Sequence, residues 1–249
     1  MNLSRRQAQW DELANRDPFW TILASPGKAG NRWETEEFFR TGIAEIERAI
    51  QRISKLPVKQ PHIRALDFGC GVGRLTQALS THFERVDGVD ISPTMVELAN
   101  KFNRYKETCH YHVNGADNLA LFGADSFDFI YSRLVLQHIP PRITRRYLRE
   151  FVRVLRPGGV LLFQLPAGPV NRALRVFPQG LLDGTFNLTR NSYRRLFRIR
   201  PLGWEMHWIP RPKVEQVLTE SGGTLLRIDA DDLVEGKLTN LDYVVTKPG

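Results

Sequence analysis

The stretch ALDFGCGVGR, residues 65–74, decides how this 249-residue chain is read. Its apolar start has the character of a buried strand. Three alternating glycines, Gly69, Gly71 and Gly73, then turn the chain into RLTQALSTHF, residues 74–83, where Leu75, Leu79 and Phe83 recur at helical spacing. A strand, a glycine turn and a helix bring free backbone N–H groups and the positive end of a helix dipole to the carboxyl edge of a sheet, where open α/β folds bind ligands. Two residues bear on which ligand that is. Arg74 stands where the dinucleotide pattern G-x-G-x-x-G needs its third glycine, which weakens a nicotinamide reading. Asp67, just before the turn, would repel a pyrophosphate and attract an ammonium group. A cationic nucleoside suits both.

Outward from this stretch the chain alternates strand and helix. RVDGVDI (85–91) is a second strand closed by Asp90, whose carboxylate can accept hydrogen bonds from both hydroxyls of a ribose. Ser92 caps the next helix, with Pro93 at its first position. HYHVNG (110–115) and FDFIYSRL (127–134) are further strands. A helix from about Pro141 stops at LRPGG, and VLLFQLP (160–166) is the fifth strand. Such alternation implies a parallel sheet covered on both faces. After a helix over 211–223, TLLRI (224–228) and LDYVVTK (241–247) are strands with only a loop between them, which must pair as an antiparallel terminal hairpin or splay apart.

Residues 1–60 contain no strand pattern and are read as a helical cap on a main domain of residues 61–249. Ser4 and Gln7 form a capping box for a helix carrying Trp10 and Leu13. Thr35 caps a longer helix in which Phe39, Ile43, Ile46, Ile50 and Ile53 share a face.

With these residues in place the sequence resembles the class I S-adenosylmethionine-dependent methyltransferases. The resemblance rests on LDFGCGVGR, VDGVDIS, residues 114–139, VLRPGGVLLFQLP and the final strand pair. It implies a Rossmann-like α/β fold with a seven-stranded, mostly parallel sheet and an antiparallel last strand. It also implies S-adenosyl-L-methionine as cofactor. Position by position, Asp67, Gly69, Cys70, Gly71 and Gly73 correspond to the loop around the methionine and sugar portions, and Asp90 to the ribose binder. Ile91 corresponds to the adenine face, Ala116 to the adenine edge and Arg133 to a neighbour of the methionine portion. Relatives often carry Gly-Asp-Ala in the adenine loop. Here Asn114, Gly115 and Ala116 stand there, which leaves Asp117, Asn114 or backbone groups alone to hold the adenine amino group.

For the transfer step, His138 in LVLQHIP follows the fourth strand at the ligand edge and is the first candidate general base. His207 in WEMHWIP is the second. His110 and His112 share a strand face, but without a carboxylate in register they predict no metal site. Cys70 and Cys109 have neither zinc nor disulfide spacing and read as buried fillers in a reducing compartment.

The composition, 42% hydrophobic and 25% charged, is that of a soluble globular protein, and no apolar run reaches the length of a membrane span. A cytoplasmic location is expected. The net charge of +8 is compatible with nucleic acid, anionic lipid or a phosphorylated substrate. Arg142, Arg145, Arg146, Arg149 and Arg153 fall on one side of a helix, either as a solvated face or as a docking face for an acidic partner or membrane surface. Some 45 residues, about 167–211, are too many for a simple connection and are read as an inserted lid rich in arginine and aromatic groups, including Phe197, Trp204 and Trp208. The expected activity is methyl transfer to a small-molecule or glycoconjugate acceptor at oxygen. The competing readings are an RNA or protein methyltransferase, a non-catalytic cofactor-binding scaffold and a nicotinamide oxidoreductase.

Overall fold

A computed structural model describes residues 3–58, 62–169, 206–230 and 238–249. Seven strands form one sheet in the order β3-β2-β1-β4-β5-β7-β6. They are β1 (Arg64–Phe68), β2 (Arg85–Asp90), β3 (Cys109–Val113), β4 (Phe127–Ser132), β5 (Leu155–Pro169), β6 (Thr224–Ala230) and β7 (Leu238–Thr246). β1 to β5 pair in parallel, and β7 runs antiparallel to both β5 and β6. The strand order reverses between β1 and β4, and ligand crevices of open α/β sheets form at such a switch point.

Strand periodicity builds the two layers. On β5, Leu161, Phe163 and Leu165 point to one face, where they pack with Phe151, Val217 and Tyr243. Val160 and Leu162 point to the other and pack with Ile46, Leu79 and Phe129. The first face is covered by α6 (Pro141–Val154) and α7 (Arg211–Glu220), the second by α3 (Thr35–Ile53) and α4 (Arg74–Leu79). A third cluster joins the N-terminal helices to the sheet domain through Ala14, Phe38, Phe39, Val72 and Met95. Phe19 stacks on Phe38 at 4.3 Å. Fully burying one such ring contributes about 1.5–3 kcal/mol, so this cluster holds the cap firmly.

Several local expectations change. Helix α1 (Leu3–Arg16) begins before Ser4, so Ser4 lies inside it and Gln7 reaches elsewhere. Glu34, not Thr35, occupies the cap position of α3, without a side-chain capping bond. Ile43 is 46% exposed because the buried stripe of α3 runs through Phe39, Gly42, Ile46, Ala49 and Ile53. At Gly42 an added Cβ would stand 2.4 Å from the Arg74 carbonyl oxygen, so the missing side chain lets α3 close on α4. α4 itself stops at Leu79, short of Phe83. β5 begins at Leu155 and passes through Gly158 at φ +78° with a register shift against β4, so LRPGG ends the helix but belongs to the strand as a bulge. At its other end β5 runs on to Pro169, paired with Leu238, so residues 167–169 are strand. Most of the inserted segment, Phe197 and Trp204 among it, lies outside the described residues.

Candidate functional site

The glycine loop leaves β1 with Gly69 and Cys70 both donating backbone hydrogen bonds to the Val89 carbonyl, 2.8 and 3.0 Å, which stitches the turn to β2. Gly69, Gly71 and Gly73 all have positive φ (+81°, +52° and +84°). At Gly69 an added Cβ would lie 2.3 Å from Val135 Cγ2, so backbone conformation and space both require glycine there. Asp90 faces the loop from the end of β2. One carboxylate oxygen accepts from Gly71 N and the other from Ser92 N, each at 2.9 Å. Each oxygen has two lone-pair directions, so the carboxylate retains acceptor capacity beyond these bonds, which suits a hydroxyl-bearing ligand. Burial pushes the Asp90 carboxyl above its ordinary pKa, against the lowering effect of the Ser92, Gly71 and Ile91 N–H groups. Ser92 caps α5 (Pro93–Phe102), as its position suggested, by accepting from Met95 N.

A cavity of about 690 Å³ opens between this loop and the N-terminal helices. Gly69, Gly71, Asp90, Ile91 and Asn114 line one end, and Arg6, Trp10, Arg133, His138 and Met206 also line it. The cap is tied down by polar contacts as well as by packing. Gln7 Nε2 donates to the Ile91 carbonyl at 3.0 Å. Asp11 accepts from Ser92 Oγ at 2.5 Å and from Thr94 N at 3.2 Å, so a carboxylate of α1 sits on the positive end of α5. Arg6, 5% exposed, donates to the His138 carbonyl and approaches His207 Nε2 at 3.4 Å.

Not every residue marked in the sequence faces this cavity. Asp67 lies beneath the loop, 1% exposed, with its carboxylate accepting from Thr76 Oγ1 at 2.7 Å. Burial pushes its pKa to about 7, against the hydrogen bond from Thr76 and the charge of Arg74. Cys70 is buried below the loop, where desolvation raises its thiol well above the ordinary range; Cys109 is buried as well. Gly73 packs against Tyr111 rather than the cavity. Ala116 offers its carbonyl to the Tyr147 hydroxyl. Asp117 is turned outward and pairs with Arg146 of α6, whereas Asn114 lines the cavity, its amide donating to the Asn118 carbonyl at 2.9 Å and accepting from Ala116 N at 3.3 Å.

Charged groups behind the site do more than their spacing along the chain suggests. Arg74 is more than a missing glycine: 3% exposed, it pairs with Glu45 at 2.8 Å and bonds Thr41 at 3.2 Å, tying α4 to α3. Glu45 also accepts from the Tyr131 hydroxyl at 3.0 Å and lies 3.5 Å from Arg133 Nε. His112 does have a carboxylate partner, Asp87, at 2.8 Å, because the two side chains reach across the β2–β3 pair. Although burial opposes it, hydrogen bonds from His112, Arg85 and Arg64 hold Asp87 well below the usual carboxylate range. Among the described residues no cluster of three or more His, Cys, Asp or Glu could hold a metal, and no helix is long and apolar enough to cross a membrane. Arg6, Gln7, Trp10 and Asp11 carry no local signal of a site. They reach it because α1 folds back over residues 80 or more positions away.

Arg6 links His138 and His207, through the backbone carbonyl of the one and Nε2 of the other. His138 is 8% exposed, lines the cavity and stands edge-on to Trp10 with ring centroids 5.3 Å apart. His207 N donates to the Gln137 carbonyl of the short 3-10 helix Leu136–His138 at 2.7 Å, and Ile209 N donates to the Pro166 carbonyl of β5 at 3.0 Å.

Residues 66–163 match the family model described as "Methyltransferase domain". The chain is 28% identical over 155 residues to the 2-methyl-6-phytyl-1,4-hydroquinone methyltransferase of Synechocystis sp., covering 62% of this chain and 48% of that one. It is 29% identical over 174 residues to the ubiquinone biosynthesis O-methyltransferase of Coxiella burnetii, covering 69% and 67%. The chain thus spans about half the length of the first of these relatives. The crystal structure of magnesium protoporphyrin IX methyltransferase from Synechocystis with bound S-adenosylhomocysteine superposes with a TM-score of 0.64 at 15% identity, over 98% of this chain and 99% of that one, and so shares its fold. Residues 66–163 thus match a methyltransferase domain, and the strand order and glycine loop are those of the Rossmann-like fold of the class I S-adenosylmethionine-dependent methyltransferases.

Proposed function

We propose that this protein transfers a methyl group from S-adenosylmethionine to a small-molecule or glycoconjugate acceptor, at oxygen. The observation that carries the reading is one continuous cavity with Gly69, Gly71 and Asp90 in its wall together with Arg6, His138 and Met206. The residues present fit the cofactor: a carboxylate with spare acceptor capacity suits a ribose diol, and glycines that exclude a Cβ allow close approach of backbone. Asp90 would hold the sugar, Ile91 and Asn114 the base, and the Gly69–Gly71 backbone with Arg133 the amino-acid portion. Asp67 then acts from below, shaping the loop through Thr76 and contributing a charge that depends on pH. When bound, the cofactor supplies a sulfonium methyl group already activated toward in-line attack.

The chain's own contribution is orientation. Holding two groups in line can lower a barrier by about 7–11 kcal/mol, more than a single proton transfer supplies. The cap and the His138 segment form the walls that do this, and the acceptor oxygen is met by His138, with His207 behind it. Trp10, Leu134, Ile139 and Met206 give that space an apolar character suited to a flat or hydrocarbon-bearing molecule. The names of the two curated relatives, a hydroquinone methyltransferase and an O-methyltransferase, support an acceptor hydroxyl. The RNA or protein reading has less support, because Arg146 and Arg153 are paired with the chain's own Asp117 and Glu150.

Thermal denaturation with S-adenosylhomocysteine tests the cofactor, and a screen of hydroxylated acceptors with a labelled methyl donor tests turnover. Stabilisation by S-adenosylhomocysteine with turnover is expected. A shift with NAD(P) and none with S-adenosylhomocysteine would overturn the proposal, and binding without any turnover would favour the scaffold reading.

A further inference from the structure

A line of buried side-chain amides ends on the His138 ring. Leu134 N donates to Gln164 Oε1 at 3.2 Å, which makes the other end of that amide the donor. Gln164 Nε2 donates to Asn240 Oδ1 at 2.7 Å and lies 3.4 Å from Gln137 Oε1. Asn240 is oriented independently, since its Nδ2 faces the Leu238 carbonyl at 3.4 Å. With Gln137 Oε1 acting as acceptor, Gln137 Nε2 is the donor that meets His138 Nε2 at 3.2 Å. The amide orientations are thus set by a backbone N–H at one end and a backbone carbonyl at the other. Gln137 and Gln164 are both buried, so a wrongly turned amide would leave a donor facing a donor out of reach of water.

We infer that Gln137, Gln164 and Asn240 are positioning residues that hold His138 as the neutral tautomer with its proton on Nδ1 and its lone pair on Nε2. An imidazolium, or the Nε2–H tautomer, would set N–H against N–H at the Gln137 contact. The same logic applies to His207. A guanidinium offers donors only, so His207 Nε2 accepts from Arg6 at 3.4 Å. The inference rests on the methyltransferase reading, within which His138 stands in the wall of the cavity. It cannot take a proton on Nε2 while Gln137 holds that lone pair. The first candidate base in the sequence is thereby assigned to orientation.

The test is long-range ¹H–¹⁵N NMR of the full chain labelled at histidine, with His138 assigned through its backbone resonances, between pH 6 and 8. The expected spectrum shows protonated Nδ1 and unprotonated Nε2 throughout. A protonated Nε2 at pH 7.5, or imidazolium there, would overturn the assignment. Gln137→Glu replaces the donor by a carboxylate and should move the proton to Nε2. Gln164→Leu, further from the ring, should leave a mixture of tautomers, and unchanged spectra in both folded variants would also refute the positioning role. Calorimetric binding of S-adenosylhomocysteine is measured on the same samples. Its absence would remove the methyltransferase reading, while the tautomer result stands separately.

Discussion

Replacing Asp67 by asparagine should remove a pH dependence of stability that the wild-type protein carries. Asp67 is 1% exposed with Thr76 Oγ1 as its hydrogen-bond donor, and its folded-state pKa is pushed to about 7 from an ordinary value of 3.8, first by burial and then by Glu45 and Asp90. A carboxyl whose pKa is higher in the folded state binds more protons there than in the unfolded chain at intermediate pH. Stability from this group is therefore complete below the unfolded value, falls as pH rises, and is lost once pH passes about 7. Each pKa unit corresponds to about 1.4 kcal/mol, and the slope flattens as the group becomes half ionised near pH 7, so the change from pH 5 to 7 amounts to roughly 2 kcal/mol. Urea denaturation of wild type and Asp67→Asn at pH 5, 6, 7 and 8 measures the difference directly. The gap should shift in favour of the variant by that order between pH 5 and 7, and level off above pH 8. A gap independent of pH would show that Asp67 is already ionised at pH 5, and burial would then not be the dominant influence on it.

Three further outcomes are expected. Asp90→Ala should abolish most of the thermal shift caused by S-adenosylhomocysteine, because two charged hydrogen bonds worth about 1.5–3 kcal/mol each are lost; an undiminished shift would exclude Asp90 as the sugar ligand. Gly69→Ala should cost about 2–5 kcal/mol by chemical denaturation, from left-handed backbone strain and from contact with Val135, and a loss under 1 kcal/mol would mean that the loop relaxes freely. Arg74→Met should lower stability by about 3 kcal/mol, since Glu45 would keep its buried charge with a weaker set of partners, and Glu45→Gln in the same background should recover part of it in a double-mutant cycle.

The fold is legible wherever one short segment contains its own instruction. Alternation on β5 states which residues face each layer, and Ser92-Pro93 marks a helix start by capping chemistry alone. Boundaries are less legible where packing competes with pattern. Ile43 fits the helical stripe of α3 but is exposed, because Gly42 is the residue that admits Arg74. Asp117 sits beside the adenine-loop positions in sequence, yet Arg146 of α6 draws its carboxylate outward.

The sequence by itself determined the strand–glycine–helix turn, Asp90 at the ligand edge and the terminal hairpin, because each rests on spacings of a few residues that local geometry converts into structure. Only the tertiary structure decided what closes the cavity and how its histidines are held. Arg6 meets His138 across 132 positions, Gln7 meets Ile91 across 84, and Gln164 meets Asn240 across 76. Such contacts have no period along the chain. They arise from the burial of apolar faces elsewhere, which brings these polar groups out of water and leaves each of them to find a partner among whatever the fold has placed beside it.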